Sequence, residues 1–155
     1  MEVRRVVVGS LMTNCYIVYC PGTREAIIID PGGRGRRILE LVESLRLKVK
    51  LIVNTHGHAD HTSANMAVKE ETEAPIAIHE DDAHLLSLEE QKYWCPEFEV
   101  SKPDITLREG DVVSFNSKYG RVSFKVLHTP GHTAGSICLY GSGRLFSGDT
   151  VFRGG

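Results

Sequence analysis

The chain has 155 residues, with 18 Lys and Arg against 20 Asp and Glu, a formal net charge of −2, 41% hydrophobic and 25% charged residues. That length suits one domain, residues 1–155, able to bury its own core without staples. The near-neutral balance argues against nucleic acid or an anionic membrane as partner.

The four cysteines, Cys15, Cys20, Cys95 and Cys138, form no C-x-x-C pair, which excludes a zinc ribbon or a thioredoxin-type site. Cys15 and Cys138 lie in apolar runs and read as small buried hydrophobes. The simplest compartment is the reducing cytoplasm. The three-valine run at 6–8 is too short for a signal-peptide core or a membrane span.

Strand-like runs come first, at 3–8, 15–19 and 26–29, short, β-branched and separated by Gly, Pro or Asn. The third stops at Asp30-Pro31-Gly32-Gly33, a strong breaker. Ile38, Leu41, Val42 and Leu45 then recur at i, i+3, i+4, i+7, which predicts an amphipathic helix over 35–46. The arginines at 34, 36 and 37 read as its solvated start. A short apolar strand at 51–53 precedes a histidine-rich loop, and a weaker helical stretch follows at 63–71. Residues 76–78 read as a strand. Glu80, Asp81 and Asp82 supply an acidic first turn for a helix carrying Leu85, Leu86 and Leu88. Residues 91–102 lack a period and read as a surface loop. Val122, Phe124 and Val126 alternate with Ser123 and Lys125 as a half-buried strand, and 136–140 and 144–146 flank Gly-Ser-Gly as a hairpin. The class is α/β, with two β-rich halves and helices between strands.

The chemical signal is His56-Gly57-His58-Ala59-Asp60-His61, three imidazoles and a carboxylate within six residues. In extended backbone, residues two apart point the same way, so His56 and His58 can chelate one ion. Asp60 and His61 follow as the chain turns toward a helix and can face a second. His132, after Pro130-Gly131, and Asp149, after Ser147-Gly148, sit on loops at strand ends, where α/β ligand sites lie. Alone they would read as ordinary turn residues; with the cluster they become ligands. Three histidines leave zinc an open position, and zinc-bound water has a pKa of about 7. Asp149 could bridge two ions. Asp60 also reads as a catalytic carboxylate. Asp30 reads either as the carboxylate orienting a ligand histidine or as a turn start. His128 reads either as a support behind a ligand or as a satisfied strand-end histidine. His79 and His84 are expected at the surface.

Thr55 to His61, TPGHTAGS at 129–136 and SGDTVFRGG at 147–155 resemble the metallo-β-lactamase superfamily, in its glyoxalase II-like form, and Asn14-Cys15-Tyr16 and Asp30-Pro31-Gly32 resemble it too. The resemblance covers essentially the whole chain in the right order. It implies an αββα sandwich with metals at one edge between the sheets. It implies His56, His58 and His132 on the first ion, Asp60 and His61 on the second, and Asp149 between them. The implied cofactor is zinc, one or two ions, with iron or manganese also compatible. The implied reaction is hydrolysis of a thioester or related acyl bond of a small-molecule substrate by a metal-bound hydroxide. The family's last histidine, its final strands and helix, and the glutathione-holding helical region of glyoxalase II are not in this sequence. The expectation is therefore a C-terminally incomplete domain with a weak second site and an exposed sheet edge open to homo-oligomer formation.

Two other readings compete with the hydrolase. One is a mononuclear iron persulfide dioxygenase using His56, His132 and Asp149. The other is a metal-binding fragment without turnover. A nuclease has no basic stripe to support it.

Overall fold

The computed structural model describes residues 1–153. Strands β1 (Glu2–Val8), β2 (Thr13–Tyr19) and β3 (Glu25–Ile29) form an antiparallel meander. Helix α1 (Gly35–Ser44) then returns the chain so that β4 (Lys48–Val53) lies parallel to β3. Helices α2 (Ala59–Thr62) and α3 (Asn65–Thr72) lead to β5 (Ile76–His79), parallel to β4. Two 3-10 segments, Glu80–Ser87 and Glu89–Tyr93, precede β6 (Ile105–Leu107), parallel to β5. These strands make one sheet in the order β1-β2-β3-β4-β5-β6. Strands β7 (Val112–Ser117), β8 (Gly120–His128), β9 (Ile137–Gly141) and β10 (Arg144–Phe146) make a second, antiparallel sheet in the order β10-β9-β8-β7.

The pleat explains the layering. In β3, Ile28 turns toward α1 and α3, where it joins Ile38, Val42 and Val68. Its neighbours Ile27 and Ile29 turn the other way, onto Phe115, Phe124, Val126 and Leu139 of the second sheet. A strand buried on both faces needs a continuous apolar run, and Ala26-Ile27-Ile28-Ile29 supplies it. In β8 only one face is buried, so Phe124 and Val126 are covered while Ser123 and Lys125 are exposed. The described residues thus form helix, sheet and sheet layers of the αββα arrangement. No helix among them is long and apolar enough to cross a membrane.

Several elements differ from the sequence expectation. Helix α1 stops at Ser44, two residues early, because Arg46 takes a left-handed φ of 53° and Leu47 N–H returns to Val42 O. The helix expected over 63–71 is α3, and a separate turn of helix, α2, precedes it within the histidine-rich loop. The acidic helix start opens a 3-10 segment. The expected surface loop 91–102 buries Gln91, Cys95, Phe98 and Ser101. Strands β6 and β7 fall in the β-rich second half but match no run that the sequence singles out. Gly154 and Gly155, the end of the SGDTVFRGG stretch, lie outside the described residues.

Candidate metal centre

Parallel β3, β4 and β5 bring their C-terminal ends to one edge. Asp30 follows β3, the His56–His61 loop follows β4, and the segment starting at Glu80 follows β5. The second sheet contributes the loops after β8 and β10, which carry His132 and Asp149. All six expected ligands therefore meet where the two sheets open.

Asp149 Oδ2 lies 3.6 Å from His56 Nε2, 3.3 Å from His61 Nε2 and 3.1 Å from His132 Nε2. His58 Nδ1 is 3.0 Å from His132 Nε2. Two donor groups emerge, His56-His58-His132 and His56-His61-Asp149, sharing His56. Asp60 Oδ2 is 3.4 Å from His61 Nε2 and accepts from Thr13 Oγ1 at 3.2 Å. Asp60 therefore sits at the second group's margin.

Asp30 is buried in a left-handed backbone conformation, φ 56°. Its Oδ1 accepts Thr55 N–H at 2.7 Å, and its Oδ2 accepts Thr55 Oγ1–H at 2.6 Å and His61 Nδ1–H at 2.9 Å. A carboxylate has only acceptors to offer, so the contact puts a proton on Nδ1 and turns Nε2 toward Asp149 and Asp60. His128 is not behind a ligand. Its ring stacks on His79 with centroids 4.0 Å apart, and its Nε2 meets Ala134 O at 2.9 Å. His79 is buried, not exposed, because Nδ1 accepts Asp81 N–H and the His128 ring covers it. His79, Asp81 and His128 form a third donor group. However, the near-parallel rings, 13° apart, aim their in-plane lone pairs along separate planes and cannot share an ion as placed. His84 is exposed, as expected.

The site's own chemistry fits a metal. His56 Nε2 is the one buried side-chain nitrogen or oxygen among the described residues without a hydrogen-bond partner. Leaving such an atom unpaired costs about 1–3 kcal/mol. It points into a ring of imidazole and carboxylate donors, the set that zinc, iron and manganese accept. Burial and the neighbouring His61 hold the His56 imidazole neutral, with its pKa lowered to about 3. His58 is lowered by burial and by His132. Burial also opposes charge on His61, but Asp30, Asp149 and Asp60 outweigh it and raise its pKa to about 10. The His61 contact lowers Asp149 to about 2 against the opposing effect of burial.

A proton count follows. At pH 7 the metal-free His61 is charged, and coordination through Nε2 must expel that proton. Filling the group that contains His61 should release about one proton per ion. Calorimetry in buffers of different ionisation enthalpy measures the count. A binding heat independent of buffer would show that His61 stays out of the coordination.

Sequence reasoning missed Asp82 and Gln91. Asp82 accepts Gly57 N–H at 2.8 Å, and Gln91 accepts Ala59 N–H at 2.8 Å and donates to Gly57 O at 3.0 Å. Neither stands in a metal-binding spacing. Their partners are 25 to 34 positions away, so no local pattern marks them.

The chain matches the family model of the Metallo-beta-lactamase superfamily over residues 8–155. A hydroxyacylglutathione hydrolase of Haemophilus influenzae is 33% identical over 162 residues, which span 100% of this chain and 74% of that protein. Among solved structures, the BLEG-1 B3 metallo-beta-lactamase superposes with a TM-score of 0.87 at 30% identity, covering 98% of this chain and 74% of that one. TTHA1623, solved in a di-iron-bound form, superposes with a TM-score of 0.78 at 29% identity and the same coverage of 98% and 74%. Match, fold and donor set agree, and the chain belongs to the metallo-beta-lactamase superfamily.

Proposed function

We propose that this protein is a metal-dependent hydrolase of thioesters or related acyl compounds, acting on a small-molecule substrate in the cytoplasm. The observation that carries the reading is the convergence of three imidazole nitrogens on Asp149 Oδ2 within 3.6 Å, with His58 beside them. His56, His58 and His132 would hold one ion, and Asp60 and His61 a second, with Asp149 between. A divalent ion held there lowers the pKa of a coordinated water and polarises an acyl oxygen. The chain's own residues prepare the place. Asp30 fixes the His61 ring, and burial keeps His56 neutral and ready to coordinate. A cleft of about 430 Å³ opens beside Asp149, with Met12, Tyr16 and Phe146 as apolar wall and Asn14 as a polar contact. That mixture suits an acyl chain next to a polar head group. The similarity to a hydroxyacylglutathione hydrolase supports the thioester class. Four free, buried cysteines suit a reducing compartment.

Metal-loaded protein is expected to hydrolyse an S-acyl thioester, and exhaustive chelation is expected to abolish the activity. Turnover that survives chelation would overturn the mechanism. A second reading, a mononuclear iron persulfide dioxygenase, uses His56, His132 and Asp149, with the two imidazole nitrogens 3.6 and 3.1 Å from Asp149 Oδ2. Oxygen consumption with a persulfide, together with one bound iron and no thioesterase activity, would select it. Bound metal with no turnover on either substrate would select a non-catalytic role.

A further inference from the structure

Asp82 is 1% exposed. Its carboxylate takes three hydrogen bonds from two separate loops: Gly57 N–H at 2.8 Å and Thr133 Oγ1–H at 2.7 Å on Oδ2, and Gly135 N–H at 2.8 Å on Oδ1. Each bond lands within three residues of a ligand histidine. Gly57 lies between His56 and His58, Thr133 directly follows His132, and Gly135 is three residues after it. The two loops belong to different sheets, and their imidazoles, His58 and His132, are the more exposed pair of the cluster. Among the described residues the two rings touch directly only in their 3.0 Å contact; His132 Nε2 also lies 3.1 Å from Asp149 Oδ2, and Ile137 N–H to Thr55 O at 2.8 Å joins the ends of the two loops.

Both loops carry glycine at the point of closest approach. A Cβ on Gly135 would lie 2.7 Å from the Asp82 carboxyl carbon, and one on Gly57 would lie 2.6 Å from Leu85 Cβ and 3.0 Å from Asp82 O. Only glycine lets either backbone come within hydrogen-bond reach of the carboxylate. On the far side of the His58 peptide, Gln91 is 4% exposed and completes the clamp, donating to Gly57 O and accepting from Ala59 N–H. The backbone polar groups flanking His58 are thus held by two buried side chains from the segment after β5.

We propose that Asp82 is a positioning residue that sets the spacing of His58 and His132 by tying their two loops to one buried carboxylate, with Gln91 as its counterpart behind His58. The inference rests on the metal-centre reading above, and it concerns how that centre is preset rather than what it hydrolyses. The chemistry needs a carboxylate. All three partners are donors, so an amide at this position would turn its NH₂ against at least one of them.

The test is Asp82→Asn, which keeps shape and volume. Metal affinity for the His56-His58-His132 group is expected to fall about 10–100-fold, as losses behind metal ligands do. The cobalt-substituted protein is expected to show an altered ligand-field spectrum, which a fall in stability alone would not produce. In the metal-free protein, the imidazole N–H bridging His58 and His132 is expected to exchange faster with solvent. Val113→Ala, a core change in the second sheet, serves as control. It should lower the melting temperature and leave the affinity and the spectrum alone. If Asp82→Asn fails to fold, Thr133→Val removes one of the three bonds at constant shape and should give a smaller change in the same direction. Wild-type affinity and spectrum in a folded Asp82→Asn or Thr133→Val protein would overturn the proposal. Failure of the underlying centre would look different, since the wild-type protein itself would then bind no metal through these histidines.

Discussion

Replacing His56 and His58 together by alanine is expected to cut bound metal by at least about 10–100-fold, since even losses behind a ligand have effects of that size. The two residues contribute differently. His56 is buried, unpaired at Nε2 and common to both donor groups. His58 is half-exposed and serves only the group with His132. His58→Ala alone should therefore spare the His56-His61-Asp149 group, whereas His56→Ala should weaken both. Removing His56 also removes the orphaned nitrogen, so the metal-free fold should lose packing but no hydrogen bond made through Nε2. Elemental analysis after dialysis, with melting curves of the metal-free proteins, separates these outcomes. A full metal complement in the double variant would mean that other residues hold the ions.

The candidate donors could be read from sequence because the chemistry they offer is locally encoded. Four candidate donors fall in six residues, and the other two follow Gly in loops at strand ends. The layered fold was legible wherever a strand's burial pattern repeats its sequence pattern, as in β3, buried on both faces, and β8, buried on one. Strand β6 escaped because three residues cannot display a period. In β7, Val113 and Phe115 alternate with Ser114 and Asn116, but the exposed Val112 at its start blurs the pattern.

The larger misses share another cause. No local pattern marks His79, Asp82 or Gln91 for burial: His79 is expected at the surface, Asp82 stands in the acidic first turn of a helix, and Gln91 begins a loop without hydrophobic period. Each is buried because a distant loop supplies its partners: the His128 ring for His79, the Gly57 and Gly135 amides for Asp82, the Gly57–Ala59 backbone for Gln91. A polar side chain is buried when it can satisfy backbone groups there, and those groups belong to loops whose positions only the tertiary fold determines. The glycines at 57 and 135 were visible, but they look like turn formers until the carboxylate opposite them is known.

Asp30 should show the other large effect, and the choice of substitution separates its two roles. Asp30→Ala leaves Thr55 N–H, Thr55 Oγ1–H and the His61 cation without their acceptor in a buried site. Breaking a buried ion pair from one side costs about 3–5 kcal/mol, which denaturant unfolding of the metal-free protein should register. Asp30→Asn should cost less, because asparagine tolerates the left-handed backbone at φ 56° and its oxygen can still accept Thr55 N–H. Its NH₂ would then face Thr55 Oγ1 and His61 Nδ1 as a donor. That contact forces His61 into the opposite tautomer, with its proton on Nε2, the nitrogen aimed at Asp149. The variant should therefore fold and yet bind metal through His61 about 10–100-fold more weakly. The pH dependence gives an independent reading. In the wild-type metal-free protein the His61 pKa is raised to about 10, so its contribution to stability is complete below the ordinary histidine value near 6.5 and fades as pH rises toward 10. Without the Asp30 charge this fall in stability above neutral pH should flatten, and the proton released on metal binding should shrink. An Asp30→Asn protein with wild-type metal affinity and an unchanged pH slope would show that Asp30 shapes the β3 turn and nothing more.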